Sequence, residues 1–379
     1  MKKINTDFLI VGSGLYGSVL AERISNNLKK KVLILEKRNH VGGNCFTEID
    51  KETGIEYHKY GTHIFHTSIR AAWNYLKDFT EFNNYRHQVL TNHKKKIYQM
   101  PINLETINSF FKKSFSPSMA KKFIENKSMK YKKNAYENFE DKAKSQIGNE
   151  LYSAFIKNYT RKQWNRNPKN LPASIFSRLP IRFNYNEDYY NQTQWQGIPL
   201  NGYTQIFKNI LDNKLIKVLL NKKYDLKNPI QVKYLTIYTG PLDRLFNFRY
   251  GKLEWRSLKF RKQIISSSDF QGSSVINYPD LKNKFIRIHE PKHLHPERQV
   301  FKSNRTLIMK EFPVTNNEEP YYPINDSKNR DIQKKYKRYA KSIKNFTFGG
   351  RLADYAYYDM DMTISAAMKK FNFIKKILK

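Results

Sequence analysis

The sequence has little cysteine, few acidic residues and no long apolar run. Its single cysteine, Cys45, cannot form an internal disulfide. The longest apolar runs, such as FLIVG and VLIL, have the length of buried strands and are far too short to span a membrane. The first thirty residues show no charged start, apolar stretch and small-residue cleavage site in succession. We therefore expect a cytoplasmic protein without a transmembrane segment.

Basic residues outnumber acidic ones two to one, with 69 Lys and Arg against 33 Asp and Glu and a formal net charge of +36. Such a balance is common in proteins that bind nucleic acid or anionic membranes. The lysines, however, come as scattered pairs and triplets, as in NLKKK, NHKKK and QKKYKRYAK, rather than along one segment or helix face. We expect solvated surface charge and no nucleic-acid partner.

The order of apolar patterns predicts an α/β protein, α+β overall, with two or three interleaved domains. The amino end reads strand, glycine turn, helix, strand in TDFLIV, GSGLYG, SVLAERISNNL and KVLILE, which is typical of a β-α-β unit in a parallel sheet. Residues 101–167 carry apolar residues at helical spacing. The α/β pattern returns at 203–240, residues 245–315 alternate like an antiparallel sheet, and a helix follows from about residue 361.

A glycine motif between the first strand and helix predicts a dinucleotide site. Gly12, Gly14 and Gly17 form GxGxxG, whose glycines allow the turn, the approach of a pyrophosphate and close packing of helix on strand. Glu36 ends the next strand, where a carboxylate can accept the hydroxyls of the adenosine ribose. These residues leave FAD and NAD open, whereas the further glycine pair in KRNHVGGN favours FAD.

Two histidine patterns resemble metal sites, and we expect no metal at either. HEPKH at 289–293 matches the HExxH zinc motif. Pro291 lies inside the helix that this motif requires, and the preceding KFIRI alternates like a strand, so the two histidines should not share a helical face. His63 and His66 in YGTHIFHT have no nearby group of cysteines or carboxylates in the sequence, and we expect them to contact cofactor or substrate.

Stretches along most of the chain resemble the UDP-galactopyranose mutase family. They include IVGSGLYG, LEKRNHVGGN, HKYGTHIFHT, IKNYTRKQW, RLPIRF, QGIPLNGYT, YTGPLD, EWRSLKF, EPYYPIND and FGGRLADYAYYDM. The resemblance implies an FAD-binding Rossmann-like domain built from discontinuous segments, a helical domain and an antiparallel β-sheet domain. The implied boundaries are 1–80, 200–240 and 335–379 for the FAD domain, 100–178 for the helical domain with a mobile loop at about 168–182, and 81–99, 183–199 and 241–334 for the sheet domain.

The resemblance implies an isomerase that interconverts UDP-galactopyranose and UDP-galactofuranose and so supplies galactofuranose for cell-surface polysaccharide. In this family N5 of reduced FAD acts as the nucleophile at the anomeric carbon, with no net redox change. This accounts for the lack of an evident acid and base pair in the sequence. NAD(P)H or another reductant would meet the flavin transiently, and a homodimer is expected by analogy. An amine-oxidase-like FAD oxidoreductase is the alternative.

The resemblance also assigns roles to individual residues. Arg178 and Arg287 would act in catalysis by neutralising the diphosphate as it leaves and returns. Substrate contacts would come from aromatic, polar and histidine side chains: Phe155, Tyr159, Thr160, Trp164, Tyr189, Asn277, Tyr322, Tyr357, His66 and His87. Contacts to FAD would come from four parts of the chain: Gly12, Gly14, Leu15, Gly17, Glu36, Lys37, Gly43, Asn44, His63, Ile64, Arg351, Tyr358, Asp359, Met360 and Thr363. His87 is a departure, because the family typically has asparagine there.

The stretch GGRLADYAYYDM, residues 349–360, combines several of these roles. By the resemblance, Arg351 would face the flavin and Tyr357 the substrate diphosphate. Asp359 would stand near the amino end of the last helix, where its charge is favoured. Tyr355 would belong to the core. We therefore expect this stretch to join the cofactor site to the substrate site.

Overall fold

The structure, a computed structural model, describes residues 6–178, 181–190, 192–298, 304–315 and 319–378. Within them the strands, numbered in chain order, are β1 Phe8–Val11, β2 Val32–Leu35, β3 Thr47–Ile49, β4 Glu56–His58, β5 Phe65–Thr67, β6 Val89–His93, β7 Lys96–Met100, β8 Trp195–Gly197, β9 Ile216–Leu219, β10 Leu235–Tyr238, β11 Trp255–Ile265, β12 Val275–Asn277, β13 Arg287–His289, β14 Thr306–Val314, β15 Tyr322–Pro323 and β16 Phe346–Phe348. The helices are α1 Leu15–Leu28, α2 Arg70–Lys77, α3 Leu104–Phe111, α4 Pro117–Ser128, α5 Phe139–Leu151, α6 Lys157–Trp164, α7 Gly202–Leu211, α8 Leu242–Leu245, α9 Ser327–Lys341, α10 Arg351–Asp354 and α11 Met360–Ile377.

Five strands form a parallel sheet in the order β16-β10-β1-β2-β9. Its strands come from widely separated parts of the chain, and Phe8 of β1 pairs in register with Val32 of β2. Neighbouring residues of β1 enter different apolar clusters. Phe8 packs with side chains of α1, α2, α7 and α11, whereas Leu9 packs with Leu33. Both faces are therefore covered, as is usual for a parallel sheet.

Seven strands form a second sheet in the order β15-β11-β14-β13-β12-β6-β7. Its longest pairing is the antiparallel ladder of β11 and β14, which runs from Ser257 opposite Val314 to Ile265 opposite Thr306. One pairing, that of β6 with β12, is parallel. Strands β15, β11, β14 and β13 lie side by side in this order, so residues that are far apart in the sequence become adjacent.

Helices α3 to α6 form the helical region around a shared apolar core. Asn103, Ser116 and Asn138 cap the amino ends of α3, α4 and α5 through their side chains, as these residue types commonly do. A π-helical turn, Tyr152–Ile156, joins α5 to α6. Such turns occur frequently at functional sites.

The predicted fold class is confirmed. The Rossmann-like parallel sheet is built from discontinuous segments, and a helical region and a mainly antiparallel sheet accompany it. The exact domain boundaries stay a prediction. Among the described helices, none combines the length and the apolar character needed to cross a membrane.

Candidate active site

A cavity of about 1860 Å³ lies between the two large sheets. Its lining follows the carboxyl ends of β1, β2, β10 and β16 and continues onto β11, β13, β14 and β15. Open α/β sheets bind ligands at this edge. All residues predicted to contact FAD line the cavity: Gly12, Gly14, Leu15, Gly17, Glu36, Lys37, Gly43, Asn44, His63, Ile64, Arg351, Tyr358, Asp359, Met360 and Thr363.

Two glycine turns meet at the floor of the cavity. Gly12 has a φ of +107°, and a Cβ there would lie 2.2 Å from Oγ1 of Thr239. A Cβ on Gly17 would lie 2.1 Å from the carbonyl oxygen of Gly12, and one on Gly43 would lie 3.0 Å from Cα of Gly14. Gly14 starts α1 without a side-chain cap, which leaves first-turn N–H groups for an anion. This cradle fits a pyrophosphate.

Glu36 is fixed at the end of β2 by backbone and side-chain donors. Its Oε2 accepts hydrogen bonds from N–H of Ser13 at 2.9 Å and from Oγ of Ser13 at 2.8 Å. Its Oε1 accepts one from N–H of Arg38 at 2.9 Å. A carboxylate has about four acceptor positions, so capacity for ribose hydroxyls remains. The donor set therefore fits the adenosine half of a dinucleotide.

Arg38 lines the same part of the cavity and was not predicted from the sequence. Its guanidinium lies 4.2 Å from the ring centroid of Tyr60, and it donates to Oδ1 of Asn44 at 3.0 Å and to Glu319 at 2.6 Å. Glu319 is distant in the sequence, so this arrangement arises only from the fold. In the sequence, an arginine two residues after Glu36 is only weak evidence of a contact with the cofactor.

The two histidines of YGTHIFHT both line the cavity. His63 Nδ1 lies 2.6 Å from the carbonyl oxygen of Gly61, and burial lowers the pKa of His63 to about 4. The ring is therefore neutral at pH 7, and because Nδ1 carries the proton toward that carbonyl, Nε2 is an acceptor. The ring of His66 stacks on Tyr190 at 3.7 Å, and Nδ1 of His66 has no hydrogen-bond partner among the described residues.

The segment after β16 connects the cavity to the core. Tyr355 is 3% exposed, and its hydroxyl donates to carbonyl oxygens of the segment before β11 and of the one after β15, which confirms its assignment to the core. Tyr357 and Tyr322 both line the cavity and stack with ring centroids 5.5 Å apart. Asp359 is the N-cap residue of α11, as expected. The contacts of this segment with cofactor and substrate stay a prediction.

Arg287 on β13 lines the cavity and is held by acceptors on two neighbouring strands. It donates to Oδ1 of Asn277 at 3.1 Å and to Glu311 at 3.5 Å. Its guanidinium also lies 5.6 Å from the ring centroid of Tyr159. Burial opposes the charge, but Tyr159 and Glu311 raise the pKa of Arg287. Glu311 is shared with His289 at 2.8 Å. A fixed, charged guanidinium thus faces the cavity.

Arg256 on β11 is a further cavity arginine, which the sequence did not reveal. It is 6% exposed and lines the cavity. Its Nε has no acceptor among the described residues, and burial lowers the pKa of Arg256. A buried guanidinium nitrogen without an acceptor is costly unless an anion supplies one. Arg256 lies in the EWRSLKF stretch, which resembles the family, but nothing in that stretch indicated that its arginine faces a ligand site.

Several residues predicted to contact substrate do not line the cavity. Phe155 is 3% exposed in the helical core, Thr160 is buried, and Trp164 packs against the same core. His87 is buried, and burial lowers its pKa to about 3. Tyr190, which had not been predicted, lines the cavity in place of its neighbour Tyr189. The roles of these predicted residues stay predictions.

The side chain of Arg178 lies outside the described residues. Its backbone ends a 3-10 helix at Ala173–Arg178, and residues 179 and 180 of the proposed loop are likewise outside. The predicted catalytic role of Arg178 is therefore untested.

HEPKH forms a strand and a 3-10 turn, Pro291–Leu294, instead of an α-helix, as its proline predicts. His289 bonds to Glu311, whereas His293 lies 3.2 Å from Asp269. In the described part of the chain, Asp269, Glu290 and His293 could geometrically hold an ion. The Lys292 ammonium lies within 3.8 Å of both carboxylates and already supplies positive charge there.

Sequence comparisons place the chain in a family. A sequence model described as UDP-galactopyranose mutase matches residues 154–357, and one described as NAD(P)-binding Rossmann-like domain matches residues 10–79. A dTDP-fucopyranose mutase of Escherichia coli is 37% identical over 95% of this chain and 96% of its own length. A Klebsiella pneumoniae protein named "probable UDP-galactopyranose mutase" is 38% identical over 96% and 94%, and a UDP-galactopyranose mutase of Mycoplasma genitalium is 34% identical over 96% and 93%.

The chain belongs to the UDP-galactopyranose mutase family. The family is one of isomerases, and together with the Rossmann-like domain it implies a flavin cofactor. Solved structures agree on the fold. The crystal structure of a reduced UDP-galactopyranose mutase matches with a TM-score of 0.79 at 12% identity, covering 98% of this chain and 96% of that chain. A putrescine oxidase matches with a TM-score of 0.58 at 12% identity, covering 98% and 99%.

Proposed function

We propose that the protein interconverts UDP-galactopyranose and UDP-galactofuranose with FAD bound in the cavity. The observation that carries this proposal is one cavity lined both by a dinucleotide cradle and by two arginines, the buried Arg256 and the half-buried Arg287. A dinucleotide explains the cradle, and a second diphosphate explains the arginines. Membership of a family of isomerases supports the reaction class.

Reduced FAD would supply the nucleophile for the anomeric carbon through its N5 atom. The chain would hold the cofactor by its glycine turns: first-turn N–H groups beyond Gly14 would bind the pyrophosphate, and Glu36 would accept the ribose hydroxyls. His63 is neutral and would offer an acceptor to the site. Arg351 also lines the cavity, acts electrostatically on this histidine and would add positive charge.

The main task of the protein side chains would be to hold UDP while its bond to the sugar breaks and forms again. Arg287 is oriented by Asn277 and Glu311, so it would neutralise the diphosphate without reorganising. Arg256 would gain the anion that it lacks among the described residues. Burial raises the pKa of Tyr322, so its hydroxyl keeps its proton and would donate to the phosphate.

The nucleoside would lie on the side of the helical region. Tyr159 adjoins Arg287, and Asn277 is bonded to it. Neither lines the cavity, and both would lie next to a nucleotide whose diphosphate binds that arginine. We keep Phe155, on the π-helical turn before α6, and Thr160 and Trp164, on α6 itself, as proposed contacts with the nucleoside. Arg178 would approach the diphosphate from the loop that follows.

A second candidate substrate is a dTDP-fucopyranose. The Escherichia coli relative that carries this name is as similar to the chain as the Klebsiella pneumoniae relative, at 37% and 38% identity. The cavity arginines would serve either diphosphate, because neither contact involves the base or the sugar. His87, which stands where the family typically has asparagine, is a candidate for the difference.

The test is to incubate the dithionite-reduced protein with UDP-galactofuranose and, separately, with dTDP-fucofuranose, and to separate the products by chromatography. We expect conversion of UDP-galactofuranose to the pyranose form. Conversion of the dTDP sugar alone would establish the second candidate. Oxygen consumption with putrescine and no sugar conversion would favour the oxidase alternative. The proposal also includes NAD(P)H as the reductant, a homodimer and a cytoplasmic location. The product would supply galactofuranose for cell-surface polysaccharide.

A further inference from the structure

Lys162 on helix α6 makes an unusual set of contacts. Its Nζ donates to four backbone carbonyl oxygens, those of Tyr278, Asp280, Asn283 and Phe285, the last three at 3.0, 3.1 and 2.9 Å. An ammonium has three N–H bonds, so all of them are used within this set. All four carbonyls belong to the loop that joins β12 to β13. One side chain of the helix thus holds an entire loop.

The loop and the helix both carry residues that the proposed function assigns to the substrate. Asn277 ends β12 just before the loop, and Arg287 starts β13 just after it. Tyr159 lies one helical turn before Lys162 on α6, and its ring adjoins Arg287. The contact of Lys162 with the loop therefore lies between two groups of proposed substrate residues.

A second path connects the same loop to the helical core. His93 on β6 lies 3.4 Å from the carboxylate of Asp280, and its ring packs edge-on against Phe155 at 5.7 Å. Burial lowers the pKa of Lys162 to about 8, and the carboxylate of Asp280 opposes this shift. The ammonium is thus held by four backbone carbonyl dipoles, a geometry that a neutral side chain would not reproduce.

We propose that Lys162 is a positioning residue for substrate binding, which fixes helix α6 against the β12–β13 hairpin at the spacing that a bound nucleotide requires. The inference rests on the proposed function, because it takes the hairpin and the helix as the two sides of the nucleotide site. Lys162 itself does not line the cavity, so its effect would be transmitted through Tyr159 and Arg287.

The experiment compares Lys162→Met with Lys157→Met in the flavin-loaded enzyme. Lys157 is an exposed lysine on the same helix and serves as the matched control. We expect Lys162→Met to weaken the binding of UDP, measured by titration calorimetry on the oxidised enzyme, by about tenfold, since charged hydrogen bonds are lost. The flavin absorbance should remain, and KM for UDP-galactofuranose should rise more than kcat falls. Lys162→Arg, which keeps the charge, should recover part of the affinity, and Lys157→Met should match the wild type.

Three results would overturn the inference. Equal UDP affinity of Lys162→Met and the wild type would do so while the proposed function stands. Loss of flavin from Lys162→Met would indicate a general role in stability instead. Failure of the wild type to bind UDP would refute the proposed function, and the inference would fall with it.

Discussion

The substitution Arg256→Met addresses the cavity residue that sequence reasoning missed. Arg256 is 6% exposed, and its Nε has no hydrogen-bond partner among the described residues. Methionine keeps much of the length and apolar volume of the side chain but has no charge. If a diphosphate supplies the missing anion, the substitution should weaken ligand binding and at the same time stabilise the substrate-free enzyme.

The expected magnitudes follow from the contacts. A hydrogen bond to a charged group contributes about 1.5 to 3 kcal/mol, so one lost phosphate contact should raise the Kd for UDP about 10- to 150-fold. Burial and Arg166 disfavour the charge of Arg256 more than Glu254 favours it, so removal of this charge should stabilise the substrate-free enzyme by about 1 kcal/mol or more. Turnover should fall further, because the diphosphate must be held throughout the reaction.

The assay combines UDP titration calorimetry with urea unfolding of the flavin-loaded enzyme. Arg261→Met is the control, since Arg261 lies on the same strand and is exposed. Unchanged UDP affinity of Arg256→Met, or a loss of stability of about 1 kcal/mol or more, would refute this reasoning. Loss of flavin with UDP affinity intact would show that Arg256 faces the cofactor.

Three further predictions concern the cradle, the core and pH. Gly17→Ala should abolish flavin binding, seen as loss of absorbance near 450 nm, because its Cβ would lie 2.1 Å from the Gly12 carbonyl oxygen; a fully loaded variant would contradict this. Tyr355→Phe removes the buried hydroxyl and should lower the free energy of unfolding in urea by about 1 to 2 kcal/mol. The affinity for UDP should stay unchanged, and an altered affinity would contradict the assignment of Tyr355 to the core. Burial lowers the pKa of His87 to about 3, so between about pH 6.5 and pH 3 only the unfolded chain binds its proton. As the pH is lowered through this range, His87 should reduce the free energy of unfolding by about 1.4 kcal/mol per pH unit. His87→Gln should remove this contribution, and an equal slope in the variant would refute it.

The cofactor side of the cavity could be located from the sequence because its determinants are local. The turn after β1 has no room for a Cβ at Gly12 or Gly17, which lie within six residues of each other, and Glu36 follows β2 directly. Such short patterns can be recognised in the sequence of any fold that contains this β-α-β unit. The fold class was accessible for the same reason, since apolar periodicity marked the parallel strands and the long ladder of β11 and β14.

The substrate side could not be located in this way, because it depends on distant segments. Arg256 and Arg287 become neighbours of the same cavity only through the order of strands in the seven-stranded sheet. Nothing in the sequence separates Tyr190 from Tyr189, yet only the former lines the cavity. Phe155 shows the converse: its motif suggests a ligand contact, whereas its ring packs among Tyr98 and Phe110 in the helical core.

The most direct test of the central claim is to count sugar molecules converted per reducing equivalent. The flavin-loaded protein is reduced once with dithionite under anaerobic conditions, given an excess of UDP-galactofuranose, and the UDP-galactopyranose formed is measured. We expect many molecules of product per molecule of enzyme without further reductant, because the flavin is used and regenerated. Product limited to one molecule per equivalent of dithionite, or no ring interconversion at all, would contradict it.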